Sequence, residues 1–178
     1  MTHSGARTCT TPRDGDLGLR HVTNAAGLAV SVLPNGSLFA IEHQHERGRI
    51  MLNQVLGSPI GGGIARLYLR IGGREPRTVR VGPGTADRFA AAADRLVWEG
   101  KSAGLQHRVT LWLHARSNVW LWHLELANRG TVDLPCDAIL AQDLGLGGRG
   151  FLMNNEAYVS QYIDHHIAVD ARLGPVVM

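Results

Sequence analysis

Two neighbouring stretches decide the fold: His107-Arg108-Val109-Thr110-Leu111-Trp112-Leu113-His114-Ala115 and, after Arg116-Ser117-Asn118, Val119-Trp120-Leu121-Trp122-His123-Leu124-Glu125-Leu126-Ala127. In the first, Val109, Leu111 and Leu113 fall on one face and Thr110, Trp112 and His114 on the other, the period of two that belongs to a strand. In the second, Trp120, Trp122, Leu124 and Leu126 line one side. Working outward, Leu96 to Gly100 reads as a further strand, and Leu28 to Leu33 and Leu38 to Ile41 flank Pro34-Asn35-Gly36-Ser37. An Asn-Gly pair between apolar runs favours a tight hairpin, because both positions tolerate positive φ. Ile64 to Ile71 runs through Gly72-Gly73 to Thr78 to Val81, a second expected hairpin. Arg88 to Ala93 has helix-favouring alanines in strand surroundings and is read as strand. Cys136 to Gln142 is expected to resume the sheet after Asn128-Arg129-Gly130. Short strands joined by short turns, with no long 3.6-residue period, predict an all-β chain folded as a large antiparallel β-sandwich.

The 178 residues fit one domain, expected as a sandwich over residues 19–178 behind a loose leader at 1–18. A domain of this size buries roughly 70% of its unfolded surface. With 44% hydrophobic and 19% charged residues the composition is globular, far from that of disordered chains. No apolar run approaches the roughly 20 residues that span a bilayer, so no membrane partner is expected. The leader lacks the apolar run of about 7 to 15 residues that a secretory signal needs, which makes the cytoplasm the default compartment. Cys9 and Cys136 do not suggest a structural disulfide. The net charge of +3 comes from arginines scattered singly, Lys101 being the sole lysine, whereas a nucleic-acid groove would cluster them.

Several motifs carry two readings each. Gly145-Leu146-Gly147-Gly148-Arg149-Gly150 matches G-x-G-x-x-G, but its antiparallel surroundings lack the βαβ unit of a dinucleotide site, so a mobile glycine loop is expected. His43 and His45 share a strand side and could begin a zinc site, although a solvated polar face, with Glu42 and Glu46 near Arg47 or Arg49, explains them as well. Asp164-His165-His166 could orient an imidazole for proton transfer beside Tyr158, Gln161 and Tyr162, or could close the sandwich as a hydrogen-bonded loop. Trp98, Trp112, Trp120 and Trp122 suit either a sugar-stacking platform or a core. The chain ends on an apolar strand, Leu173 to Met178, which suggests that the natural unit continues and that Leu173 to Val177 favours self-association.

Taken together, Asn35-Gly36-Ser37-Leu38-Phe39, the run from Leu52-Asn53-Gln54-Val55 to Gly61-Gly62-Gly63, Val97-Trp98-Glu99-Gly100, Gln142-Asp143-Leu144-Gly145-Leu146 and Asn155 to His166 resemble a known family. They are similar to the N-terminal sandwich domain of glycoside hydrolase family 94, the cellobiose-phosphorylase-like enzymes, and most of all to 1,2-β-oligoglucan phosphorylases. The resemblance covers about Asn35 to Pro175. It implies a supersandwich of galactose-mutarotase-like type, joined in relatives to a helical (α/α)6 barrel that holds the catalytic acid. No position here matches that acid, so the chain itself is expected to be non-catalytic, without cofactor or metal.

The resemblance implies packing on the barrel, help in forming a homodimer, and one wall of a site for a β-glucan oligosaccharide and phosphate. The wall residues it points to are Gln142, Asp143, Asn155, Glu156, Tyr158, Gln161, Tyr162, Asp164 and His165. Amides, carboxylates and aromatic rings suit sugar hydroxyls and ring faces. Two other functions stay open: a mutarotase-like sugar isomerase using His123, His165 and Glu125, and a free-standing carbohydrate-binding module.

Overall fold

A computed structural model describes residues 17–155 and 164–177. Residues 1–16, which hold most of the leader expected at 1–18, the segment 156–163 and Met178 lie outside the described residues. The rest is almost entirely strand: β1 (Arg20–Thr23), β2 (Leu28–Val32), β3 (Leu38–His45), β4 (Gly48–Met51), β5 (Ala65–Ile71), β6 (Arg77–Val81), β7 (Arg88–Ala91), β8 (Arg95–Ser102), β9 (Leu105–Leu113), β10 (Trp120–Asn128), β11 (Cys136–Gln142), β12 (Gly147–Gly148), one short helix α1 (Arg149–Asn155), then β13 (Ile167–Asp170) and β14 (Gly174–Val177). The sheets run β1-β2-β3-β4-β12, β10-β9-β8-β7 and β11-β5-β6, with β13 and β14 as a separate pair. Every strand pairing described is antiparallel.

The alternation that predicted the sandwich sorts its residues as expected. Val109, Leu111 and Leu113 are buried, in one cluster with Leu28, Val30 and Val32 from the first sheet and Leu67 and Leu69 from the third. Trp120, Trp122 and Leu124 of β10 sit in register with Leu113, Leu111 and Val109 and pack half-buried against the same cluster. The stretch Arg88 to Ala93 is strand over β7, where Ala90 and Ala91 lie opposite Val97 and Leu96, and sheet pairing overrides alanine's helix preference.

Three expectations change in detail. The β2–β3 turn does not need two residues at positive φ: Pro34 fixes its own φ, and Gly36 alone is left-handed, at φ 78°. The Gly36 amide closes the turn onto the Leu33 carbonyl at 2.9 Å, and Leu33 in turn bonds Ser37 at 2.9 Å, a three-residue loop with a glycine bulge. Second, Cys136 to Gln142 does form a strand, β11, but it joins a separate sheet on β5, with Cys136 opposite Ile71 and Gln142 opposite Ala65. Third, the glycine run is no open loop. Gly147 and Gly148 pair with Met51 and Ile50 on β4, and Leu152 of α1 is buried beside Met51. The apolar chain end becomes β14, paired with β13, and Ile167, Val169 and Leu173 stand exposed there. No helix among the described residues is long and apolar enough to cross a membrane.

Candidate functional site

The sequence motifs meet at one end of the sandwich. Backbone hydrogen bonds lace residues 52–64 around β3: Gly57 N to Phe39 O at 2.7 Å, Ile64 N to Leu38 O at 3.2 Å and Leu38 N to Gly62 O at 3.3 Å. The fit leaves no room for side chains, since a Cβ on Gly57 or Gly63 would lie 1.9 or 1.8 Å from the Leu38 carbonyl oxygen. Asn53 is wholly buried; its Oδ1 accepts from the Ile41 amide at 2.8 Å and its Nδ2 donates to the Val55 carbonyl at 2.6 Å. Trp98 is 1% exposed and donates its indole N–H to the Gly36 carbonyl at 3.1 Å, which ties the four-stranded sheet to the β2–β3 turn.

Gln142 and Asp143 enter this frame from the end of β11. Asp143 Oδ2 accepts from the amides of Gln54 and Val55, at 2.9 and 3.0 Å, and the Gln54 side chain returns a bond to the Leu144 carbonyl at 2.9 Å. Gly145 N bonds Leu52 O at 3.0 Å. The two motifs therefore clasp each other across about ninety positions of sequence, as the register distance of 89 for Gln54 to Asp143 records. Gln142 Oε1 accepts from the Trp122 indole at 2.8 Å, while its Nε2 is buried with no hydrogen-bond partner among the described residues.

Beside these groups lies a recess of about 340 Å³, bounded by Gln142, Asp143, Val55, Ile64 and Arg66. Arg66 is steadied by a 2.9 Å bond from Nε to the Gly61 carbonyl. The recess offers the Arg66 guanidinium and a carboxylate already used as an amide acceptor, while the Gln142 amide nitrogen is itself buried. That set can bind hydroxyls. It presents no nucleophile, and Asp143 is held as a clamp on the 54–55 backbone.

The remaining wall residues fall differently. Asn155 ends α1, and Glu156, Tyr158, Gln161 and Tyr162 lie outside the described residues. Asp164 and His165 are exposed, and Asp164 pairs with His166, Oδ2 to Nε2 at 2.8 Å, rather than with the adjacent His165. His43 donates from Nε2 to the Ala26 carbonyl at 3.1 Å, and His45 Nδ1 accepts from the Arg47 amide at 3.3 Å. Among the described residues no three His, Cys, Asp or Glu side chains converge as a metal site would require. His123 and Glu125 are 4.0 Å apart on the outer face of β10, both exposed.

Glu42 lies 3.7 Å from Arg49, one of the two partners the sequence suggested, but it is not on a solvated face: it is 5% exposed and is also capped by Arg149 from α1. Sequence reasoning missed that Arg149 link and one other buried polar link. His107 Nε2 donates to Asp87 Oδ2 at 2.8 Å. Burial pushes the Asp87 carboxyl up, but the bonds from His107, the Gly82 amide and Thr85 outweigh it and hold the group below the usual carboxylate range. Neither link has a local signature, since its partners lie 107 and 20 positions apart.

The architecture defines an antiparallel β-sandwich whose motif-bearing loops form one interlocked end. Residues 31–178 match the SOGP N-terminal domain, and the chain belongs to that family. It is 28% identical over 151 residues to a 1,2-beta-oligoglucan phosphorylase of Listeria innocua serovar 6a (strain ATCC BAA-680 / CLIP 11262). That match takes in 82% of this chain and 12% of the relative, so the chain spans about an eighth of the relative's length.

Proposed function

We propose that this chain is the non-catalytic N-terminal sandwich of an inverting β-glucan phosphorylase of the cellobiose-phosphorylase-like kind. The observation that carries the reading is the clasp of residues 142–145 onto 52–55, with its sugar-sized donor recess, in a chain of the SOGP N-terminal domain family. In such an enzyme a carboxylic acid protonates the glycosidic oxygen while inorganic phosphate attacks the anomeric carbon from the opposite face, in place of the water of an inverting glycosidase. Inversion at a β-linked glucosyl carbon gives an α-glucosyl phosphate. Nothing in the clasp performs that proton transfer; its part is to pack on a helical barrel, to favour a homodimer and to wall the sugar site with Gln142 and Asp143.

The test is phosphorolysis of a short β-1,2-gluco-oligosaccharide, followed as α-glucose 1-phosphate release. The isolated chain should release none, and a full-length enzyme carrying this domain should. In that enzyme Gln142→Ala should raise KM for the glucan with the fold intact. Unaltered phosphorolysis in Gln142→Ala and Asp143→Ala would remove both residues from the wall, and turnover by the isolated chain would end the non-catalytic reading.

A further inference from the structure

The outer face of the β7–β10 sheet is used by neither the core nor the clasp. Register sets Arg88, Glu99, Arg108 and Glu125 in one row across all four strands, so that charges alternate in sign from β7 to β10. Arg108 Nε donates to Glu99 Oε1 at 2.9 Å. On one side of the row stands Trp112, between Arg95 and Leu121 in register; on the other stand Lys101, Gln106 and Ala127. Two shallow, open depressions, about 700 and 640 Å³, lie on this face and share Arg108 and Glu125 in their linings, so together they form a shallow trough on either side of the row. From Gln106 to Trp112 the trough runs about 20 Å at the rise of an antiparallel strand.

Trp112 is fixed rather than loose. Its indole N–H donates to Asp94 Oδ2 at 2.9 Å, Asp94 is gripped by Arg95 through bonds of 2.8 and 2.9 Å, and the His114 ring meets the indole edge-on at 5.9 Å. The Arg95 contact holds the Asp94 carboxyl below its ordinary range against a smaller opposing push from burial. An immobilised aromatic at the end of a trough loses little conformational freedom on binding.

We propose that this trough binds an extended β-glucan chain, with one pyranose ring against Trp112 and the hydroxyls of successive units across the Arg88-Glu99-Arg108-Glu125 row. A sugar ring presents C–H faces to an aromatic and hydroxyls that both donate and accept, so alternating guanidinium donors and carboxylate acceptors match it. Exposed ion pairs of this kind are weak, so their groups turn to a ligand's hydroxyls at little cost. The linings carry Arg88, Arg95, Lys101, Arg108 and Arg129 against Asp94, Glu99 and Glu125, but each arginine of the row has a glutamate beside it in register, so a polyanion would meet a carboxylate next to each of those guanidinium groups. The choice of glucan rests on the phosphorylase reading; the trough's chemistry does not.

The test titrates the full, 15N-labelled chain with a short β-1,2-gluco-oligosaccharide, with heparin in a parallel series. The Trp112 indole resonance should move saturably with the glucan while that of buried Trp98 stays still. Trp112→Ala should weaken binding about tenfold. Thr110→Arg, which fills the trough floor from the outer face, should abolish it with an unchanged circular dichroism spectrum. A Trp112 shift with heparin alone, no shift at all, or glucan affinity that survives both substitutions would overturn the proposal. The last result would leave the phosphorylase reading standing, whereas failed phosphorolysis by the full-length enzyme would remove that reading and leave a saturable Trp112 shift intact.

Discussion

At the clasped end of the sandwich polar groups are spent inside the protein, whereas across the outer face of β7–β10 they stand toward solvent. Asn53 and Asp143 bond backbone amides and the Trp98 indole bonds the Gly36 carbonyl, while Glu99 and Arg108 satisfy one another with side chains about half exposed. The contrast separates two kinds of information. Residues that make the chain recognisable within the described part are fitted to the fold's own backbone. Groups free to meet a ligand sit where the sequence reads as an ordinary solvated strand face.

The sharpest way to break this contrast is Gly63→Ala. The new Cβ would fall 1.8 Å from the Leu38 carbonyl at a residue with φ 77°, so β3 and the 57–64 loop must separate. A loss above about 4 kcal/mol is expected, enough to abolish a cooperative urea transition. A wild-type transition would show that the loop is not clamped. Next in size, Asp143→Ala leaves the Gln54 and Val55 amides without their acceptor and should cost about 2–3 kcal/mol by urea denaturation. A stable Asp143→Ala protein would move that residue out of the structural class.

The Asp87–His107 link sharpens the contrast through pH. Because the Asp87 carboxyl is held below its unfolded value, its contribution is present above about pH 4 and disappears as pH falls through the folded value. The urea midpoint should therefore drop between about pH 4 and lower pH, and Asp87→Asn should flatten that limb. Equal slopes in the two proteins would show that the link carries no linkage. Smallest of all, Glu99→Gln on the outer face should shift stability by less than about 0.5 kcal/mol. A larger loss would make the charge row a structural element rather than a binding surface.

How much of this was legible depended on the range of the interaction. Val109-Thr110-Leu111-Trp112-Leu113 announces its two faces because strand alternation is local, and the Pro34-Asn35-Gly36 turn is local too. That β11 joins β5 was hidden, because its alternation says nothing about a partner so much earlier in the chain, and β11 is exposed along nearly its whole length. The mobile loop expected at Gly145 to Gly150 failed for the same reason: the partner of Gly147 and Gly148 is β4, about a hundred positions earlier. In the candidate site, Gln142 and Asp143, to which the family resemblance points, line a recess with Arg66. Arg66, the Glu42–Arg149 pair and the fixing of Trp112 by Asp94 carry no spacing signal, since each arises only when separate strands are brought into register.

The pairing of β12 with β4 also bears on how the chain is made. Met51 awaits Gly147, so on a ribosome adding about 5–20 residues per second the outer rim of the first sheet stays unzipped for about 5–20 s. During that interval Glu42 emerges long before Arg149 can neutralise it. Closure of this rim is thus a late event in biogenesis, and until then β4 stands as an open edge of the first sheet.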